Sequence, residues 1–204
     1  GGTVGEYENL LFLEAARIMK LKHPRDVLFV LVSYLPVPDI IGEMKTKPTQ
    51  HAVRSLNIAG IQPDIIIARS IVALDEPRKR KIGIFCNVAE EDVISAPDVK
   101  FIYEIPVNFE RDQLGDRILA KFKMRSRKRD MVEWSTMVAR AQNIPDTVRI
   151  GIVGKYFESG AFTLADSYLS VIEAIKHASW ELKRKPIIEW LNAEDYEKNP
   201  ASLA

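Results

Sequence analysis

The chain has 204 residues, 47% of them hydrophobic and 28% charged, with a formal net charge of +1. That is enough for one large domain, or one domain and part of a second, with ample apolar material for a core. The charge balance exerts no general pull toward nucleic acid or membrane, no apolar run reaches bilayer length, and a single cysteine forms no internal disulfide, so a cytoplasmic protein is expected.

Gly1-Gly2-Thr3-Val4-Gly5 has no methionine and reads as a loop that follows a strand, so the sequence is expected to be part of a longer one. Its glycines let a ligand approach the main chain. Glu6, Tyr7 and Glu8 come next, and the two acids are of the kind favoured near a helix start. A helix is predicted over 9–21, with Leu11, Ala15, Ile18 and Met19 on one face. Residues 27–32 form a continuous apolar run, the pattern of a strand buried on both sides, and Pro36 and Pro38 end it.

The stretch Gly42-Glu43-Met44-Lys45-Thr46-Lys47-Pro48-Thr49-Gln50-His51 is the most informative in the chain. Pro48 suits a first helical turn, and the residue before a proline favours extended geometry, so Lys47 is expected outside the helix. Extended backbone would put Lys45 and Lys47 on one side, ahead of the unpaired N–H groups of the helix. Such a cradle suits a polyanion, with a triphosphate as natural guest; a solvated basic loop is the plainer alternative. The helix runs to about Ile58, with Gly60 as its C-terminal cap.

A second buried strand is predicted over 65–68, with Arg69 and Ser70 at its end. Strand, helix, strand at this spacing gives an α/β fold, a parallel sheet with flanking helices, and ligands lie beyond the strands' carboxyl ends. Asp75-Glu76-Pro77 starts a helix that Asn87 closes. In its basic quartet Arg78, Lys79 and Arg80 read as a solvated face, whereas Lys81 shares a helical side with Phe85. Cys86 lies in an apolar helix and reads as core. Residues 93–99 and 101–105 are predicted extended, 108–124 helical.

Lys121, Lys123, Arg125, Arg127, Lys128 and Arg129 form a basic cluster without the interleaved aromatics of a stacking surface, so a solvated linker is favoured over a nucleic-acid site. A short helix around Trp134, Met137 and Val138 leads to the proline-marked boundary at 143–146. A second α/β unit then opens with the strand around 148–154, which has neither Walker nor dinucleotide spacing. A helix over 165–182 and a strand over 187–191 continue it, with Tyr168, Val171, Ile172 and Ile175 inward. The domains are thus 1–106, a helical linker 107–145, and 146–204.

The decapeptide at 42–51, together with Gly60-Ile61-Gln62-Pro63-Asp64, Lys81-Ile82-Gly83-Ile84-Phe85-Cys86-Asn87, Ile102-Tyr103-Glu104-Ile105-Pro106 and Gly151-Ile152-Val153-Gly154-Lys155-Tyr156, resembles segments of the CTP synthase family, in family order. The resemblance implies the C-terminal part of a P-loop-like amidoligase domain, followed by the start of a class I glutamine amidotransferase domain. It implies an ATP-dependent ligase that phosphorylates O4 of UTP and displaces that phosphate with ammonia from glutamine. Lys45, Thr46, Lys47, Pro48, Thr49, Gln50, Lys81 and Phe85 would bind UTP or CTP, with Lys47 nearest the chemistry. Glu6, Tyr7 and Glu8 would contact CTP as feedback inhibitor, although the family usually has aspartate and isoleucine at the first two. Arg69, Pro97, Asp98 and Val99 would contact ATP. Magnesium ligands are expected outside these residues, and no metal site within them. The 204 residues alone are expected to be inactive, the family to form homotetramers, and neither nucleic acid nor membrane to be a partner. A noncatalytic nucleotide-binding or assembly module of the same family is the alternative.

Overall fold

Three valine- and isoleucine-rich segments line up as a parallel sheet, although the first, expected to be buried on both sides, leaves Val30 and Val32 exposed on one of them. In this computed structural model, which describes residues 3–40, 42–127, 129–154, 158–159, 162–163 and 168–198, the strands are β1 (Val30–Tyr34), β2 (Ile65–Ser70) and β3 (Val93–Pro97), in that order across the sheet. Val32 pairs with Ile67 and Ile67 with Ile94, so the three strands run in register. Expectations placed on Gly1, Gly2, Lys128, Lys155, Tyr156 and residues 165–167 lie outside the described residues.

The chain divides into two compact units, Gly1–Met131 and Val132–Ala204. In the first, α1 (Leu10–Lys22), α2 (Lys47–Ile58), α3 (Glu76–Cys86), α4 (Ile105–Arg111) and α5 (Leu114–Lys121) accompany the sheet. Its main core joins Leu31, Leu35, Met44, Val53, Leu56, Ile66, Ile82 and Val93, drawn from β1 to β3, from α2 and α3, and from the loop between β1 and α2. A second cluster of Ile65, Ile94 and Leu114, with Ile118 and Phe109 against it, places α4 and α5 at another part of the sheet.

Several local expectations differ from what is observed. β1 begins at Val30, because Asp64 holds the preceding turn: its carboxylate accepts from the Phe29 N–H at 2.9 Å, and its own N–H donates to Phe29 at 2.8 Å. α1 contributes no buried residue; Leu11 is 81% and Met19 57% exposed, and Leu13 is the side chain packed on the core. Residues 101–105 are not extended. A 3₁₀ turn at Ile102–Glu104 runs into α4, whose first turn holds Pro106. The helix expected over 108–124 is two, broken where Gln113 takes a left-handed conformation at φ 59°.

The second unit contains α6 (Val132–Gln142), β4 (Thr147–Gly154), the two-residue strands β5 (Glu158–Ser159) and β6 (Phe162–Thr163), α7 (Leu169–Glu181), β7 (Lys185–Asn192) and α8 (Ala193–Lys198). β4 and β7 are parallel, with Ile152 opposite Trp190. α7 lies between them in the chain, giving the strand–helix–strand unit predicted. Its buried residues are Ile172, Ser179 and Trp180, while Val171, expected inward, is exposed.

Candidate functional site

Every loop that leaves the carboxyl end of the first sheet is tied back to it. After β1, Leu35 donates its N–H to the Arg69 carbonyl at 2.7 Å, and the Ser70 hydroxyl donates to the Leu35 carbonyl at 2.8 Å. The loop then turns at Gly42, whose φ of 64° suits glycine. Lys45 N–H donates to Pro36 at 2.9 Å, and the Met44 side chain is buried in the core. The basic segment is therefore presented from anchored backbone.

α2 begins one residue earlier than the proline rule suggests. Lys47 is its first residue and Thr46, its N-cap, is also near helical geometry (φ −92°, ψ −13°), so the expected extended start is not observed. Thr46 explains the difference. Its carbonyl accepts from the Gln50 N–H at 3.2 Å and its hydroxyl from the Gln50 amide at 3.1 Å, which closes the turn from both sides. Thr49, fully buried, shares a 2.8 Å hydrogen bond with Ser33 of β1 and fixes the helix to the sheet. The first N–H groups of α2 have no intrahelical acceptor and carry the positive end of the helix dipole.

The structure brings Lys45, Thr46 and Lys47 together with Lys81 around one cleft of about 440 Å³, with Glu43, Met44, Pro77 and Arg78 completing its lining. Arg78 was grouped by sequence with a solvated face; instead its side chain turns into the cleft and is 29% exposed. It pairs with Asp75, whose carboxylate caps α3 by accepting the Arg78 N–H at 2.9 Å. Glu43 accepts from Lys45 Nζ at 2.8 Å and lies 3.8 Å from Arg78 Nη2. The Lys45 hydrogen bond, then the charges of Lys45, Arg78 and Lys81, hold its carboxyl below the usual range. Four cations and one carboxylate thus share an open cleft at a helix N-terminus, an arrangement that stabilises a chain of phosphates. Pro48 is exposed, Thr49 and Gln50 face the interior, and Phe85, 56% exposed, is outside the cleft's lining.

Arg69, Pro97, Asp98 and Val99 line a second cavity of about 580 Å³, with Val32, Ile67, Ile102, Ile105, Asn108 and Phe109. Arg69 Nη2 donates to Asp98 Oδ1 at 3.1 Å, and the Asp98 N–H donates to Ser70 at 2.7 Å. A cavity with mostly apolar walls and one arginine suits a flat ring.

The remaining predicted residues are elsewhere. Glu6 accepts from the Thr3 N–H at 2.7 Å and starts the 3₁₀ turn Tyr7–Asn9; Tyr7 is 79% exposed. Cys86 is buried, and desolvation pushes its thiol up to about 11, against the activation of a nucleophile. In the basic cluster, Lys121 pairs with Asp92 at 2.5 Å and Arg129 with Glu110 and Asp116. Among the described residues no group of three or more His, Cys, Asp or Glu is placed to hold a metal. Among them, too, no helix is long and apolar enough to cross a membrane.

Residues 1–124 match the family described as CTP synthase N-terminus. The chain is 48% identical over 204 residues to CTP synthase of Pyrococcus furiosus, covering 100% of this chain and 37% of that protein. CTP synthase of Pyrococcus abyssi is likewise 48% identical over the same spans. CTP synthase of Nostoc punctiforme is 43% identical over 202 residues, 98% of this chain and 36% of its own. The chain thus spans little more than a third of the length of these curated relatives.

Proposed function

The chain belongs to the CTP synthase family, and from that premise we propose that it forms part of a glutamine-dependent enzyme that converts UTP to CTP at the expense of ATP. The observation that carries the reading is the convergence of Lys45, Thr46, Lys47 and Lys81 on one cleft from two separate helices and a tethered loop. UTP lays its triphosphate there, CTP competes for the same cations, and ATP enters the apolar slot beside Arg69. Lys47 neutralises charge that develops as the γ-phosphoryl group passes from ATP to O4 of UTP, a step governed by positioning and electrostatics. Ammonia from glutamine then displaces that phosphate from the ring.

Magnesium, when bound, would neutralise charge on the transferring phosphates; among the described residues no group of three or more His, Cys, Asp or Glu is placed to hold it. The parallel pair β4 and β7 with α7 is read as the beginning of the glutamine amidotransferase domain. Glu6, Tyr7 and Glu8 are read as contacts for inhibitory CTP, the assembly as a homotetramer, and the compartment as the cytoplasm. The test is Lys47→Ala in the complete protein. UTP-dependent ATP turnover is expected to vanish with fold and glutamine hydrolysis retained; undiminished turnover removes Lys47 from the chemistry.

A further inference from the structure

The phosphate cleft already contains an anion. Glu43 projects into it, one oxygen 2.8 Å from Lys45 Nζ and the other 3.8 Å from Arg78 Nη2. Arg78 comes from α3, one turn before Lys81, and reaches across to the loop, where its Nε is 3.4 Å from the Met44 carbonyl. Asp75 holds the opposite side of the guanidinium. The fork is thereby oriented, yet its contact with Glu43 is long.

We propose that Glu43 is a built-in occupant of the cleft that a nucleotide triphosphate displaces, and that Arg78, freed from Glu43, becomes a fourth cation on the phosphates. This rests on the reading that the cleft takes the triphosphate. Displacement is easy because the Glu43–Lys45 pair is exposed, with side chains 55% and 37% accessible, and exposed pairs hold weakly. A triphosphate offers several charges to Lys45, Lys47, Arg78 and Lys81 at once, whereas Glu43 offers one. A monophosphate cannot span the same cations and does not dislodge the carboxylate as well. Glu43 therefore raises the threshold for occupancy, and Arg78 rewards ligands long enough to cross it. The guanidinium fork suits this task, since it binds phosphate oxygens two at a time.

Isothermal titration of the purified complete protein with UTP, tripolyphosphate and uridine monophosphate tests the idea. Glu43→Gln is expected to tighten UTP and tripolyphosphate by about threefold, the scale of one exposed ion pair. Arg78→Ala and Arg78→Gln are expected to weaken both by roughly tenfold, the scale of one charge-assisted contact, and to leave uridine monophosphate nearly unchanged. The opposite signs are the signature, because mere structural damage weakens binding in both variants. The inference is overturned if Glu43→Gln binds no tighter, or if Arg78→Ala matches wild type while Lys81→Ala is impaired. If wild type binds neither UTP nor tripolyphosphate, or Lys81→Ala binds both normally, the cleft itself has been misread and this inference falls with it.

Discussion

Replacing Lys81 with alanine removes one of the four cations around the cleft without touching the core, since the side chain is on the exposed face of α3. Two unit charges 4 Å apart interact by about 1 kcal/mol in water and about 4 kcal/mol at a protein-surface dielectric. The cleft is open to solvent, and Arg78 remains beside the vacated position, so the loss is set between these limits at about 2 kcal/mol, or roughly thirtyfold in affinity. The contact is to phosphate, so UTP and CTP are expected to weaken together, and uridine not at all. Equilibrium dialysis at two ionic strengths checks both points, with a shallower salt dependence expected in the variant. Loss of UTP binding with CTP intact, or equal loss for uridine, would refute the shared cradle.

Two further predictions concern stability. A Cβ at Gly83 would lie 2.9 Å from the backbone carbonyl of Val88, so Gly83→Ala is expected to lose about 1–3 kcal/mol despite alanine's better helix propensity; an unchanged urea midpoint contradicts this. The Cys86 thiol stays protonated in the fold up to about 11, whereas an unfolded thiol ionises near 9, so the unfolded state holds fewer protons between these values. Stability contributed by the thiol is full below pH 9 and falls by about 1.4 kcal/mol per pH unit as pH rises toward 11. Urea titrations of wild type and Cys86→Ala over that window should diverge in slope; parallel curves contradict the burial argument.

α3 was the most legible element, because each of its signals is local. Asp75 caps it, Pro77 opens it, and Asn87 closes it at φ 52°. The parallel sheet was legible from the apolar runs, and Arg69, Pro97, Asp98 and Val99, named from the sequence, line one cavity. Lys47 was misplaced because the proline rule describes a backbone without neighbours, and Thr46 supplies two hydrogen bonds that overrule it. The turn at 102–104 was misread as extended; Pro106, well placed for a helix start, was the unused signal. Arg78 disappeared into a run of four basic residues. Charge composition does not say which of them a helix turns toward a loop residue 34 positions earlier; the Asp75 cap three residues before it was the hint. The apolar face of α1 was legible in sequence, but amphipathicity does not name the surface a helix packs against, and that face is largely exposed.

A structure of the complete protein with UTP bound tests the central claim most directly. The account predicts the triphosphate in the cleft between α2 and α3, its oxygens within hydrogen-bond distance of Lys45, Lys47 and Lys81. A triphosphate bound elsewhere, with those three lysines facing solvent, would contradict it.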